Sequence, residues 1–168
     1  GAQKWLNELR ESPTMAPTIV SYNTIIDACG RAHEFEAAQS WLEKAIADEG
    51  VKVDAITFNG LIGACARAGK LFEAEQFMIE MLELNLKPDV VTYTSMISGF
   101  SRCGDLAAAE KWLAAMQEGP DGVRPNVATF NAVINACIRS GQRPDPDEWF
   151  KRIRDAGEFP NLITYSTL

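Results

Sequence analysis

The chain has 168 residues, 46% of them hydrophobic, enough for a packed protein, and no run of about 18 apolar residues marks a membrane insertion. Its four cysteines, Cys29, Cys65, Cys103 and Cys137, form no C-x-x-C pair, which argues against a zinc site and a disulfide framework and fits reduced thiols in an intracellular or organellar compartment. The formal net charge of −7 weighs at first sight against a nucleic-acid partner, because phosphate contacts usually come from a basic chain.

Two series of residues recur in one register. Tyr22-Asn23, Phe58-Asn59, Tyr93-Thr94, Phe130-Asn131 and Tyr165-Ser166 follow one another at steps of 36, 35, 37 and 35 residues. Thr18, Asp54, Asp89, Asn126 and Asn161 keep the same steps. Residues 1–18 therefore read as the tail of a repeat, with Trp5 in its second helix. Residues 19–54 are the first whole repeat, and Ile25, Ile26 and Cys29 mark its first helix at helical spacing. Val53 stands where later repeats close with proline, and one extra residue is expected late in the second helix.

In residues 55–89, Leu61, Ile62 and Cys65 mark the first helix and Gly69 the turn. Leu71, Ala74, Phe77, Met78 and Met81 mark the second helix, and Pro88 the close. Residues 90–126 repeat the pattern with Met96, Ile97 and Phe100, then Gly104, then Leu106, Ala109, Trp112, Leu113 and Met116, up to Pro125. Residues 127–161 begin normally with Val133, Ile134 and Cys137. Arg143 and Pro146 then stand where Leu71 and Ala74 stand two repeats earlier, so the second helix is expected to pack poorly. Residues 162–168 open another repeat. A single hairpin cannot bury its apolar stripe alone, and stacking completes the core. The expected fold is all-α, a right-handed α-solenoid of two-helix repeats of about 35 residues. Neither end shows a capping repeat and no targeting segment is visible, so a longer native array is expected.

The segment Lys87-Pro88-Asp89-Val90-Val91-Thr92-Tyr93-Thr94 resembles the junction between pentatricopeptide repeats. So do Arg124-Pro125-Asn126-Val127-Ala128-Thr129-Phe130-Asn131 and Pro160-Asn161-Leu162-Ile163-Thr164-Tyr165. Ala66-Arg67-Ala68-Gly69-Lys70-Leu71-Phe72-Glu73-Ala74 resembles the family's inter-helix turn. Tetratricopeptide repeats are the nearest rival, but their Trp-x-x-Leu-Gly opening is absent.

The resemblance implies single-stranded RNA as partner, with one base read per repeat by the fifth and last residues. It implies Asn23 with Asp54 for U, Asn59 with Asp89 for U, Thr94 with Asn126 for A, and Asn131 with Asn161 for C, a 5′-UUAC-3′ core. Helix capping alone explains Asp or Asn at the last position. It does not explain a small polar residue at every fifth position. The resemblance also implies an apolar base clamp from the second residues, Val20, Ile56, Val91 and Ala128, with Ile163 next in the series. Ordinary inter-repeat core is the plainer role for these.

Arg31, Arg67, Arg102 and Arg139 share the thirteenth position, and scattered surface charge would not keep that register. A ridge of cations suits a phosphate backbone. The first fourteen residues of the four whole repeats hold these four arginines and one acid, Asp27, a balance of +3 that leaves −10 for the rest of the chain. One face is thus expected to be basic, and an acidic outer face to offer a surface to protein partners. Trp41, Trp112, Trp149 and Phe77 share one position and read as core, not as base-stacking platforms.

His33 is the only histidine, and no Gly-rich phosphate loop or deaminase signature is present, so neither catalysis nor a cofactor is expected. The family places such proteins in mitochondria or chloroplasts, in RNA processing, stability, editing or translation. A protein scaffold within a large organellar assembly is the competing expectation.

Overall fold

The computed structural model describes residues 18–119 and 122–168. The expected repeat tail and Trp5 lie outside the described residues. The helices are α1 (Ile19–Arg31), α2 (Phe35–Ala47), α3 (Ala55–Ala68), α4 (Leu71–Glu83), α5 (Val90–Cys103), α6 (Leu106–Glu118), α7 (Val127–Arg139), α8 (Pro146–Asp155) and α9 (Leu162–Thr167). No strand occurs among the described residues, and no helix there is long and apolar enough to cross a membrane.

Local chemistry sets both ends of the first helices. Asp54, Asp89, Asn126 and Asn161 are extended residues whose side chains accept the backbone N–H of Thr57, Thr92, Thr129 and Thr164, at 2.9–3.1 Å. Each thereby satisfies a donor that the helix cannot. At the other end the chain turns through a left-handed residue. Gly69, Gly104 and Gly141 hold φ of 74°, 72° and 83° there. The residue after each returns its N–H to a carbonyl in the last helical turn, as Lys70 does to Cys65 at 2.9 Å.

His33 occupies the same place at φ 61° and makes the same bonds, its successor Glu34 reaching Cys29 at 3.0 Å. A side chain with a Cβ is strained in that region by roughly 1–2 kcal/mol. His33→Gly is therefore expected to raise the urea midpoint, by up to about 1 kcal/mol once the unfolded glycine's freedom is counted. A lower midpoint would mean that the contact of the His33 ring with Phe35 outweighs the strain.

The helices form two walls. The first helices α1, α3, α5, α7 and α9 stack side by side, and this is the most extensive contact in the molecule. The second helices α2, α4, α6 and α8 pack on their own first helices and little on one another, so the array curves with the first helices inside. The result is a right-handed α-solenoid. Gly99 shows how close the inner wall is: a Cβ there would meet Leu71 Cδ2 at 2.7 Å and Ala66 Cβ at 2.9 Å.

Between the walls lies one continuous core. Tyr22, Phe58 and Phe130 are buried at the fourth position, with Ile26, Ile62, Ile97 and Ile134 behind them. From the second helices come Leu42, Met78, Met81 and Leu113. Trp41, Phe77 and Trp149 are buried here too and Trp112 packs against the same core. The cysteines are free. Burial pushes the Cys65 thiol up to about 11.

The extra residue of the first repeat does not lie in its second helix. α2 and α4 are both 13 residues long, and the surplus is in the connection leading to Asp54. A 13-residue helix fills the width of the core layer, whereas a solvated connection absorbs an insertion at little cost. The last whole repeat is thinner. α8 has 10 residues, opens on Pro146 capped by Asp145, and leaves Arg143 exposed ahead of it. Only Trp149 and Ile153 of α8 are buried, and its contact with α7 is much smaller than that of α4 with α3. Amide exchange is accordingly expected to be fastest in α8 among α2, α4, α6 and α8. Equal protection of the four would contradict this account of its packing.

Candidate nucleic-acid interface

The inner wall carries every residue singled out at positions two, five, thirteen and last. The second residues do not enter the core: Val20, Ile56, Val91 and Ile163 are 57–69% exposed, and Ala128 is exposed as well. Exposed β-branched residues repeated in register are unexpected in a wall whose only task is packing, since burial would stabilise each by about 1.5–3 kcal/mol.

The fifth and last residues meet across the repeat. Asn59 Nδ2 donates to Asp89 Oδ1 and Oδ2 at 3.2 and 3.1 Å, and Asn131 Nδ2 donates to Asn161 Oδ1 at 3.2 Å. Asp89 and Asn161 thus cap a helix and pair with the fifth side chain at once, so capping is not their only contact. Asn23 and Asp54 converge on Thr57, whose hydroxyl lies 2.5 Å from Asn23 Oδ1 and 3.1 Å from Asp54 Oδ1. Thr94 and Asn126 converge likewise on Thr129, at 2.8 and 3.0 Å. Ser166 is exposed and turns its hydroxyl to Ile163 O.

Not anticipated from the sequence is the third residue, Thr57, Thr92, Thr129 or Thr164, through which these contacts run. Each is at most 1% exposed. The signal was present, because these threonines step by the same 35, 37 and 35 residues.

Arg31, Arg67, Arg102 and Arg139 lie exposed in the last turns of α1, α3, α5 and α7. A cation there also complements the helix dipole. Arg31 pairs with Asp27 at 2.5 Å. Arg139 reaches Asn135 Oδ1 at 3.4 Å and the Arg102 carbonyl at 3.3 Å.

Hollows lie between neighbouring inner helices. One of about 290 Å³ is lined by Arg67, Val91, Thr94, Arg102 and Asn126. The next, of about 400 Å³, is lined by Arg102, Ala128, Asn131 and Ile163. All four kinds of position therefore converge. The outer wall is different in charge: Glu36, Glu73, Glu80 and Glu83 line a groove between α2 and α4. Burial, with Glu43 and Glu83 nearby, raises the Glu80 carboxyl above its ordinary value. No group of three or more metal-ligating side chains occurs among the described residues.

Solved structures share this architecture. The pentatricopeptide repeat protein PPR10 from maize is 26% identical, over 98% of this chain and 23% of its own, with a TM-score of 0.76. PPR10 in complex with an 18-nt psaJ RNA element is 22% identical, over 99% of this chain and 24% of its own, with a TM-score of 0.75. The PPR domain of Arabidopsis thaliana protein-only RNase P 1, in complex with tRNA, is 19% identical, over 98% of this chain and 85% of its own, with a TM-score of 0.75. The chain spans about a quarter of the length of PPR10. No curated protein sequence matches it. The model of the PPR repeat family matches residues 17–67, 53–102 and 88–139, and that of the pentatricopeptide repeat domain matches 120–168. Matched from residue 17 to its last residue, the chain belongs to the pentatricopeptide repeat family.

Proposed function

We propose that the chain binds single-stranded RNA along its inner wall, one base to a repeat, with the bases held between the exposed second residues and the phosphates held by the arginine ridge. The observation that carries this reading is the pairing of fifth and last residues beside exposed apolar side chains and a register of arginines. The RNA complexes of similar repeat proteins support it.

The hydrogen-bonding inventory of each pair matches one base edge. Asn59 keeps a second amide hydrogen and Asp89 Oδ2 a second lone pair, a donor beside an acceptor, which suits uracil O4 and N3–H. Asn23 with Asp54 has the same groups. Asn131 and Asn161 both bring amide nitrogens, because Asn161 Oδ1 is taken by the Thr164 N–H and by Asn131, and two donors suit cytosine N3 and O2. Asn126 Oδ1 is likewise taken by Thr129, which leaves its amide nitrogen for adenine N1 and the Thr94 hydroxyl for the adenine amino group. The implied core is UUAC. By family the setting is a mitochondrion or chloroplast.

A protein scaffold is the second reading, favoured by Phe72 and Ile79, which stand 70% and 49% exposed beside the outer glutamates. Binding of a labelled UUAC-containing RNA against a scrambled one, at one stated salt concentration, separates the two. Preference for UUAC is expected. Equal or absent binding of both would leave the scaffold.

A further inference from the structure

We infer that the buried threonine at the third position of each repeat is a positioning residue that fixes which edge of the preceding repeat's fifth side chain faces the RNA. This rests on the base-reading role proposed above, but its physical basis is separate. An asparagine amide has two orientations of nearly equal shape, related by exchange of its oxygen and nitrogen. One offers the base a donor and the other an acceptor. Unless something holds the amide, the fifth residue cannot discriminate between bases that differ in this respect.

The threonine hydroxyl supplies the hold. It has one proton and two lone pairs. Asp89 N–H donates to Thr92 Oγ1 at 3.0 Å, and Asn161 N–H donates to Thr164 Oγ1 at 3.1 Å, so the capping backbone occupies a lone pair. The proton is left for the fifth residue. Thr92 Oγ1 lies 2.5 Å from Asn59 Oδ1 and 3.0 Å from Asp89 Oδ1, and the shorter contact takes it. Thr57 meets Asn23 Oδ1 at 2.5 Å and Thr164 meets Asn131 Oδ1 at 2.8 Å.

In repeat 55–89 the arrangement closes on itself. Asp89 N–H donates to Thr92, Thr92 O–H donates to Asn59 Oδ1, and Asn59 Nδ2–H donates to the Asp89 carboxylate. A flipped amide would set its oxygen against that carboxylate, turn its nitrogen on the Thr92 hydroxyl and leave the Thr92 proton only the longer contact with Asp89 Oδ1. Thr92 is 0% exposed, so water cannot replace the missing bond at the hydroxyl. The plainer role for a threonine at the third helical position is a capping box, which uses only the hydroxyl's acceptor side. The donor side, reaching an asparagine 33–34 residues away at Thr57, Thr92 and Thr164, is outside that role.

Thr92→Val keeps the shape and removes the hydroxyl, and Thr92→Ser restores it. In the ¹⁵N-labelled chain without RNA, the Asn59 side-chain hydrogen that bonds Asp89 is expected to exchange more slowly than its solvated twin with Thr or Ser at 92. It is expected to exchange at the rate of a solvated amide with Val. RNA binding, measured at one salt concentration with each base placed opposite repeat 55–89, is expected to lose on the order of tenfold discrimination in the Val variant, and to recover it in the Ser variant. Preference at the other repeats should stay, whereas a general loss of folding would weaken all four together. Thr164→Val, read on the Asn131 amide and acting only opposite repeat 127–161, repeats the test if the first variant does not fold. An Asn59 amide that stays protected in Thr92→Val, or one that is released with base preference intact, would overturn the inference. Normal release of the amide in a protein that shows no base preference even with Thr92 would overturn the base-reading role instead, and leave the hydroxyl's hold on the amide standing.

Discussion

Replacing Arg31, Arg67, Arg102 and Arg139 together by glutamine is expected to weaken binding to all RNAs alike and to flatten its salt dependence. Each phosphate that an arginine no longer neutralises should reduce the slope of log K against log salt by about 0.7. Four such phosphates would reduce it by about 2.8, equivalent to a roughly 50-fold smaller fall in affinity between 50 and 200 mM salt. The expectation follows from where the guanidinium groups lie: all four are exposed, on one wall, at the last turns of successive helices. They are not equal. Asp27 sits 2.5 Å from Arg31 and competes with a phosphate for it, so Arg31 is expected to contribute least when the four are changed singly. Glutamine keeps the stem and the helix propensity. It forfeits the favourable interaction with the helix C-terminus, worth about 0.3–1 kcal/mol at each site. The variant should therefore fold. An unchanged slope would remove the phosphate role and favour the scaffold.

The acidic balance of the chain is no obstacle to this. Outer-wall glutamates such as Glu36 and Glu83 line a groove between second helices, on the other side of the solenoid from the arginines. At physiological salt the Debye length is about 8 Å, so charges on opposite walls are largely screened from each other. The cost falls on long-range attraction, and the association rate is where it would be felt.

Much of the fold was legible because a solenoid writes its architecture in a period. A residue such as Asp89 or Asn126 caps a helix through atoms three residues away, and that signal is local. The stacking of α3 on α5 follows from the same apolar positions recurring one repeat later. What was not legible depends on neighbours. His33 reads as an ordinary turn residue until the structure places it at φ 61°, in the left-handed position that glycine holds in the other repeats. The extra residue before Asp54 could sit in helix or connection by sequence alone. Only the packed width of the core layer sends it to the connection.

The candidate interface divides in the same way. The fifth, last and thirteenth positions could be found by register, and the second residues by apolar character. Whether Val20, Ile56 and Val91 are core or surface is a matter of how closely α1, α3 and α5 approach, and the structure leaves them exposed. The third residues hid behind a sufficient local explanation. A threonine three residues after a capping Asp is expected for capping, so its second bond, to Asn59 in the case of Thr92, has no local trace.

The central claim is that the fifth and last residues of a repeat choose its base, and repeat 55–89 tests it most directly because whole repeats flank it on both sides. Asn59→Thr with Asp89→Asn gives this repeat the pair found in repeat 90–126. The exchange has a structural template. Thr94 lies 2.8 Å from the Thr129 hydroxyl as Asn59 lies 2.5 Å from that of Thr92, and Asn126 caps α7 at 3.0 Å as Asp89 caps α5 at 2.9 Å. Asparagine is as good a cap as aspartate, so stability should change little. The measurement is the affinity of the parent and the double variant for RNAs that differ only in the base opposite this repeat, at one salt concentration. The account predicts that preference moves from U to A by about 1–3 kcal/mol, toward the low end because a hydroxyl makes fewer bonds than an amide. A double variant that folds normally and still prefers U would leave capping as the only role of Asp89 and contradict base reading by these positions.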